Sequence, residues 1–291
     1  MPTDPLITWS EPATELIGFV ALVLVNGAIG FRYAALRGRL ATAEVGGLFE
    51  PAARRAAALG LMGALVQAVL LVTRLPRLAE RMHLTVTRLV TTDPQTIARC
   101  GLLLVGIVGL ALAGTGRRGG WLLAAVGTIG SELSGVLAGR WDRMVNPVHQ
   151  LLAGLWLGTL AVLVLAGVGT ALRSEQPGRG AAVAGMVNGF SPLALTCGPL
   201  LIATGVITAL RHLKPFASLW TTPYGYALMV KLCLVAMTFA LGTWNWRRQR
   251  PRLGSEEAAG RILRSSLLEL SAALLVLTVT AVLVSLPSPK G

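Results

Sequence analysis

Residues 147–172 read PVHQLLAGLWLGTLAVLVLAGVGTAL, a run without a single Asp, Glu, Lys or Arg. An α-helix rises about 1.5 Å per residue, so about 20 apolar residues cross the hydrocarbon layer of a bilayer. The run is long enough to do so. Working outward in both directions, comparable stretches recur: Leu16–Ala35, Ala56–Leu75, Ile97–Thr115 and Trp121–Ala138 before it, then Met186–Leu210, Pro223–Trp246 and Ile262–Leu286. The fourth, Trp121–Ala138, is the least apolar, since it carries Glu132 and several small polar residues. The reading is an all-α, polytopic transmembrane helical bundle of about eight spans. It divides into an N-terminal four-span half, residues 1–145, and a C-terminal four-span half, residues 146–291.

Composition excludes a soluble domain. Of 291 residues, 54% are hydrophobic and 13% charged, against about 25% charged in soluble proteins; the mean hydropathy is +0.66. The 34 glycines suit helices that pack backbone to backbone in lipid. The net charge of +13 does not point to nucleic acid, because the basic residues lie mostly between apolar runs. Three widely spaced cysteines, Cys100, Cys197 and Cys233, outline no disulfide framework. The acidic N-terminus (Asp4, Glu11, Glu15) lacks the basic region of a cleaved signal.

Lys and Arg set orientation. Counting those in the flanking turns, the odd-numbered connections hold 15 and the opposite side 10, with Lys231 inside a span. This places both termini outside, with the segment from Arg247 to Arg264 as an inner anchor. Trp9, Trp121, Trp141, Trp220, Trp244 and Trp246 fall near span ends, as an aromatic belt would. The charged segment 76–96 is expected to lie along the interface with Leu78, Met82, Leu89 and Val90 toward lipid. Gly114-Thr-Gly116-Arg-Arg-Gly119 fits a dinucleotide fingerprint by letter, but it follows a membrane helix rather than a strand. It reads as a tight turn.

All three histidines fall on the expected outer side: His83 beside Met82, His149 five residues after Met144, and His212 after the sixth span. Thioether selects Cu(I), and imidazole binds either copper oxidation state. His83 and His212 also read as ordinary interfacial polar residues, whereas His149 opens a span and faces inward if Ala153 and Trp156 pack. Pro192 and Cys197-Gly198-Pro199 interrupt the sixth span. Such a break either lines a substrate path or is a packed kink, re-satisfied by hydroxyls such as Thr196. Met229 and Cys233, four apart in the seventh span, offer two sulfurs to one face or simply pack. Glu132 and Lys231 lie at similar depth and form a candidate buried ion pair, structural or functional. Glu269 finds a natural partner in Asn245. Gly154 and Gly158 form a GxxxG pair that permits close helix approach.

From the fifth span onward, roughly residues 146–287, the order of residues resembles the copper resistance D (CopD) family of bacterial inner-membrane proteins. The resemblance rests on His149 with Trp156-Leu-Gly158, Phe190-Ser191, Thr204-Gly205, Thr222-Pro-Tyr224-Gly225, Lys231, Asn245 with Arg247-Arg248, Glu269 and Pro287. Gly189 departs from the pattern, since a basic residue often precedes the Phe-Ser pair.

The resemblance implies copper transport across the cytoplasmic membrane by a permease or permease subunit, without covalent chemistry. A periplasmic copper-binding partner of the CopC type often accompanies it. On this reading copper is the substrate and is received at His149, with Met144, Met82, His83 or His212 as helpers. It then passes Cys197, Met229 and Cys233, with Glu132 and Lys231 setting the field. A homo-oligomer or a larger membrane complex is compatible with the sequence. Two rivals remain: a membrane haem or redox protein held by inward histidines, and a non-transporting accessory subunit.

Overall fold

The computed structural model describes residues 9–38, 46–117, 119–174, 178–213, 215–249 and 256–287. Asp4, Arg118, residues 39–45 of the first connection and residues 250–255 of the inner anchor lie outside them. Among the described residues there are twelve α-helices and no strand. Seven helical segments are long and apolar enough to cross a membrane. The polytopic helical bundle read from the sequence is therefore the fold.

The helices run in order α1 (Ser10–Gly30, continued by a π-turn at Phe31–Ala35), α2 (Gly46–Arg81), α3 (Val86–Thr92), α4 (Pro94–Gly114), α5 (Gly120–Glu132) and α6 (Ser134–Leu137). They continue with α7 (Val145–Val162, followed by a π-turn at Leu163–Val168), α8 (Gly169–Arg173), α9 (Arg179–His212), α10 (Ser218–Thr221), α11 (Pro223–Gln249) and α12 (Glu256–Ser285).

The fourth stretch differs from the other seven. Instead of one span it forms α5, ends at Leu133 and resumes as the single turn α6. Small and polar residues, Gly127, Thr128, Gly130, Ser131, Glu132 and Ser134, leave little apolar surface for lipid there. They serve α4 instead. Cβ atoms added at Gly130, Gly127, Gly109 and Gly120 would strike Leu102, Gly106, Ala124 and Ala113 respectively. That register is antiparallel and brings α5 back along the length of α4, so the chain still alternates sides.

Glycine also fixes the centre of the bundle. Cβ atoms at Gly27 and Gly158 would each fall on the other's backbone, and one at Gly154 would lie 2.6 Å from Asn26 Nδ2. The register of these contacts makes α1 and α7 parallel neighbours at backbone contact, as the Gly154/Gly158 pair allows. Association in lipid depends on such packing, because lipid tails are as apolar as the side chains they would replace. On α1's other flank, a Cβ at Gly63 of α2 would lie 2.6 Å from Ala21 O. Phe31, Leu36, Phe49, Leu163 and Met186 then close a core at one end.

Three local expectations are corrected. Helix α9 is continuous through Pro192 and Pro199 rather than broken; the Thr196 hydroxyl donates to Pro192 O at 2.9 Å. Segment 76–96 does not turn all four apolar residues to lipid. Leu78 and Met82 are exposed, but Leu89 is fully buried against Leu75 and Ala79, with Val90 beside it. Helix α3, capped by Thr85, folds back on the end of α2 because that contact removes Leu89 from the polar interface. Trp121 packs inward between two core clusters, while Trp9, Trp141, Trp220, Trp244 and Trp246 are exposed as a belt requires. The Gly114–Gly119 motif is the tight turn between α4 and α5, with Gly116 and Gly119 at φ of 78° and 87°.

Candidate metal-binding site

His149 sits in the second turn of α7, facing α9. Its Nδ1 lies 2.9 Å from Thr204 Oγ1. The Thr204 hydroxyl donates to Leu200 O at 2.7 Å, so its hydrogen is committed and its oxygen accepts. The hydrogen-bond network therefore assigns the proton to Nδ1. Leu201 O lies 3.2 Å from Thr204 Oγ1. Nε2 keeps its lone pair. Metal-binding histidines are held this way, one nitrogen donating to an oxygen and the other free to ligate.

Gly205 packs beside the ring, where an added Cβ would stand 3.4 Å from His149 Cε1, an ordinary contact. Lys231 of α11 is close enough for its charge to act on His149. Two turns further along α7, Trp156 stacks on Phe239 of α11 with ring centroids 4.6 Å apart. Thus His149, Thr204, Gly205 and Lys231, scattered over more than 80 residues of sequence, converge where α7, α9 and α11 meet.

The other candidates are more dispersed. Met82, His83 and Met144 are exposed, and His83 occupies the left-handed region at φ 53°. His212 is half-buried at the end of α9, its Nδ1 2.9 Å from Thr208 O. The alternation of helices puts these residues and His149 at one end of the bundle. No cluster of three or more His, Cys, Asp or Glu side chains forms among the described residues. Cys197 is buried in α9, Met229 is half-buried, and Cys233 is exposed on α11. The two sulfurs of α11 thus do not share an enclosed face.

The expected pair of Glu132 with Lys231 does not form. Glu132 accepts a 2.6 Å hydrogen bond from Asn26 Nδ2, and α5 holds it against α1 and α4, away from α11. Among the described residues no ion pair involves Lys231. By contrast, Asn245 Nδ2 does donate to Glu269, joining α11 to α12. The Thr222 hydroxyl accepts from Gly225 N–H at 3.1 Å and starts α11. Gly189 lies so near the π-turn of α1 that a Cβ would be 2.6 Å from Ala34 O. No larger side chain fits there. The reading of the sequence missed Asn26 and Arg99; the signal was polar residues within otherwise apolar runs.

The fold and the placement of these residues define a multi-pass helical membrane protein with a polar junction near one end of its C-terminal helices. Residues 184–283 match the family model of CopD, copper resistance protein D, so the resemblance read from the sequence is matched over that stretch. It is also 33% identical over 149 residues to the copper transport protein CutJ of Bacillus subtilis (strain 168); the aligned region is half of this chain and a quarter of that protein. No solved structure matches.

Proposed function

We propose that the protein moves copper across the bacterial cytoplasmic membrane, as a permease or permease subunit, with His149 as the first ligand within the bundle. The observation that carries this is the junction of His149, Thr204, Gly205 and Lys231, in which Nε2 is left free. The CopD match and the similarity to a copper transport protein supply the metal. Met144, Met82, His83 and His212 sit at the same end and collect the ion. Cys197 and Met229 offer softer ligands further along, and Glu132 contributes to the field from the N-terminal half. Cys233, on the outer surface of α11, joins the path where a second copy or another subunit covers it.

The basic-residue balance puts this end on the periplasmic side with both termini outside, where a CopC-type protein would deliver copper. The C-terminal four-span half carries the metal junction, and the N-terminal half buttresses it through α1. No step requires a covalent intermediate.

Elemental analysis of the purified protein, with an absorption spectrum, tests this. Stoichiometric copper in the wild type and its loss in His149→Ala are expected. No copper in either protein and no haem band would overturn the permease reading in favour of an accessory subunit. A Soret band would favour a haem protein.

A further inference from the structure

The N-terminal helices enclose a second polar site, separate from His149. A cavity of about 180 Å³ lies between α1, α2, α4, α5 and α7. Three amides reach it from three helices, Gln67, Gln95 and Gln150, together with Ser131, Arg99 and the carboxyl of Glu132. A space of that size has room for several waters, and its lining gives them partners. Gln95 belongs to the first turn of α4 and Gln150 to the second turn of α7, so the cavity lies near one end of these helices.

At its floor the polar groups are incompletely satisfied. Asn26, which has no exposed surface, donates Nδ2–H to Glu132 Oε1 at 2.6 Å. Asn26 Oδ1 and Glu132 Oε2 are both buried and both lack a partner. Two side chains already joined by one hydrogen bond therefore present two orphan acceptors. An unsatisfied buried acceptor costs about 1–3 kcal/mol, so this arrangement calls for one more hydrogen.

We propose that Glu132 is a proton-binding site, loaded and unloaded through the cavity, with Asn26 as the amide that receives the proton's hydrogen bond. A proton from cavity water binds Oε2, and Oε2–H donates to Asn26 Oδ1. The acid–amide pair then closes with two hydrogen bonds and both orphans are satisfied. On release the proton returns to cavity water and the carboxylate keeps the Asn26 Nδ2–H bond. The site does not depend on the copper reading.

The surrounding charges set the balance. Arg99 of α4 faces the carboxyl electrostatically and favours proton release, though no ion pair joins the two among the described residues. Arg74 of α2 adds positive charge behind Arg99 and is itself held by Glu15 of α1 at 2.8 Å. Asp93, at the start of α4, is tied to Arg140 at 3.5 Å. The described residues of α7 that line the cavity, Pro147 and Gln150, carry no charge. Among the described residues Glu132 is thus the one carboxyl lining the cavity, with a cation poised to drive its proton off.

Infrared difference spectroscopy of the purified full-length protein across a pH series tests the site through the carbonyl stretch of a protonated carboxylic acid. A band is expected that is absent in Glu132→Gln, shifts in Glu132→Asp, and fades reversibly as pH rises. Arg99→Gln should move that fading to higher pH, since it removes the charge that opposes protonation. Circular dichroism of each variant confirms the helical fold, and Glu132→Gln retains a donor for Asn26 Oδ1. Identical spectra for wild type and Glu132→Gln at every pH would overturn the proposal, because Glu132 would then be permanently ionised. A Glu132 band that never titrates would overturn it equally, leaving a structural acid–amide pair.

Discussion

Thr204 Oγ1 stands 2.9 Å from His149 Nδ1 while its own hydrogen goes to Leu200 O. One hydroxyl on α9 thereby fixes the tautomer of a histidine 55 residues earlier on α7. The relationship links helix packing to chemistry: if α9 moved relative to α7, Nε2 would lose its orientation.

Thr204→Val should therefore weaken copper binding without removing a ligand. The side chain is nearly isosteric, but the Nδ1–H loses its acceptor. Outer partners of this kind are worth about 10–100-fold in metal affinity. Titration of copper into purified wild type, Thr204→Val and His149→Ala should give the order wild type, then Thr204→Val, then His149→Ala. Equal affinity for the first two would mean that Thr204 plays no part.

The contact of α1 with α7 predicts a stability effect. A Cβ at Gly158 would fall on the Val23 carbonyl oxygen and the Gly27 backbone, neither of which can move aside without displacing a helix. Overpacking in a close-packed core costs about 1–3 kcal/mol, and backbone opposing backbone belongs at or beyond the upper end. Gly158→Val should lower the thermal unfolding midpoint in detergent by several degrees or abolish folded protein. Gly101→Ala, where an added Cβ meets nothing within 4 Å, should match the wild type.

Asn245 and Glu269 make the corresponding contact between α11 and α12. Asn245→Leu removes the donor and leaves a half-buried carboxyl without its hydrogen bond, at a cost of about 1–3 kcal/mol. Glu269→Gln keeps an acceptor for the Asn245 amide and should cost less. Thermal unfolding of the two variants side by side checks the ranking, and a greater loss in Glu269→Gln would contradict it.

Much of this architecture was legible in the sequence because a bilayer imposes a length rule. Seven stretches satisfied it and became long helices. The fourth did not, since glycines and hydroxyls that looked like a weak span were spent on contact with α4. The prolines of α9 misled because a proline lowers the odds of helix without forbidding it, and α9 runs through both. Asn245 with Glu269 was legible because their depths agree and the two spans are consecutive. Glu132 with Lys231 had matching depths too, but depth says nothing about azimuth. The packing of α5 against α1 and α4 turned Glu132 toward Asn26. Burial of Leu89 depended likewise on a fold-back that hydropathy cannot anticipate.

Lys231 carries the last prediction. It lies within electrostatic reach of His149 and, among the described residues, forms no ion pair. An ammonium about 10 Å from a bound monovalent cation opposes binding by about 1–2 kcal/mol at an effective dielectric of about 20. Removing it should tighten copper binding at the histidine by about tenfold. The same change should slow transport, because an ion held more firmly at the entrance leaves it less readily. Lys231→Met keeps the length and apolar stem of the side chain, so packing in α11 is preserved. Copper affinity of the purified variant and copper uptake by cells expressing it should therefore move in opposite directions, affinity up and uptake down. Wild-type uptake in Lys231→Met would remove the lysine from the mechanism. Weaker copper binding would show instead that its amine helps to hold the metal.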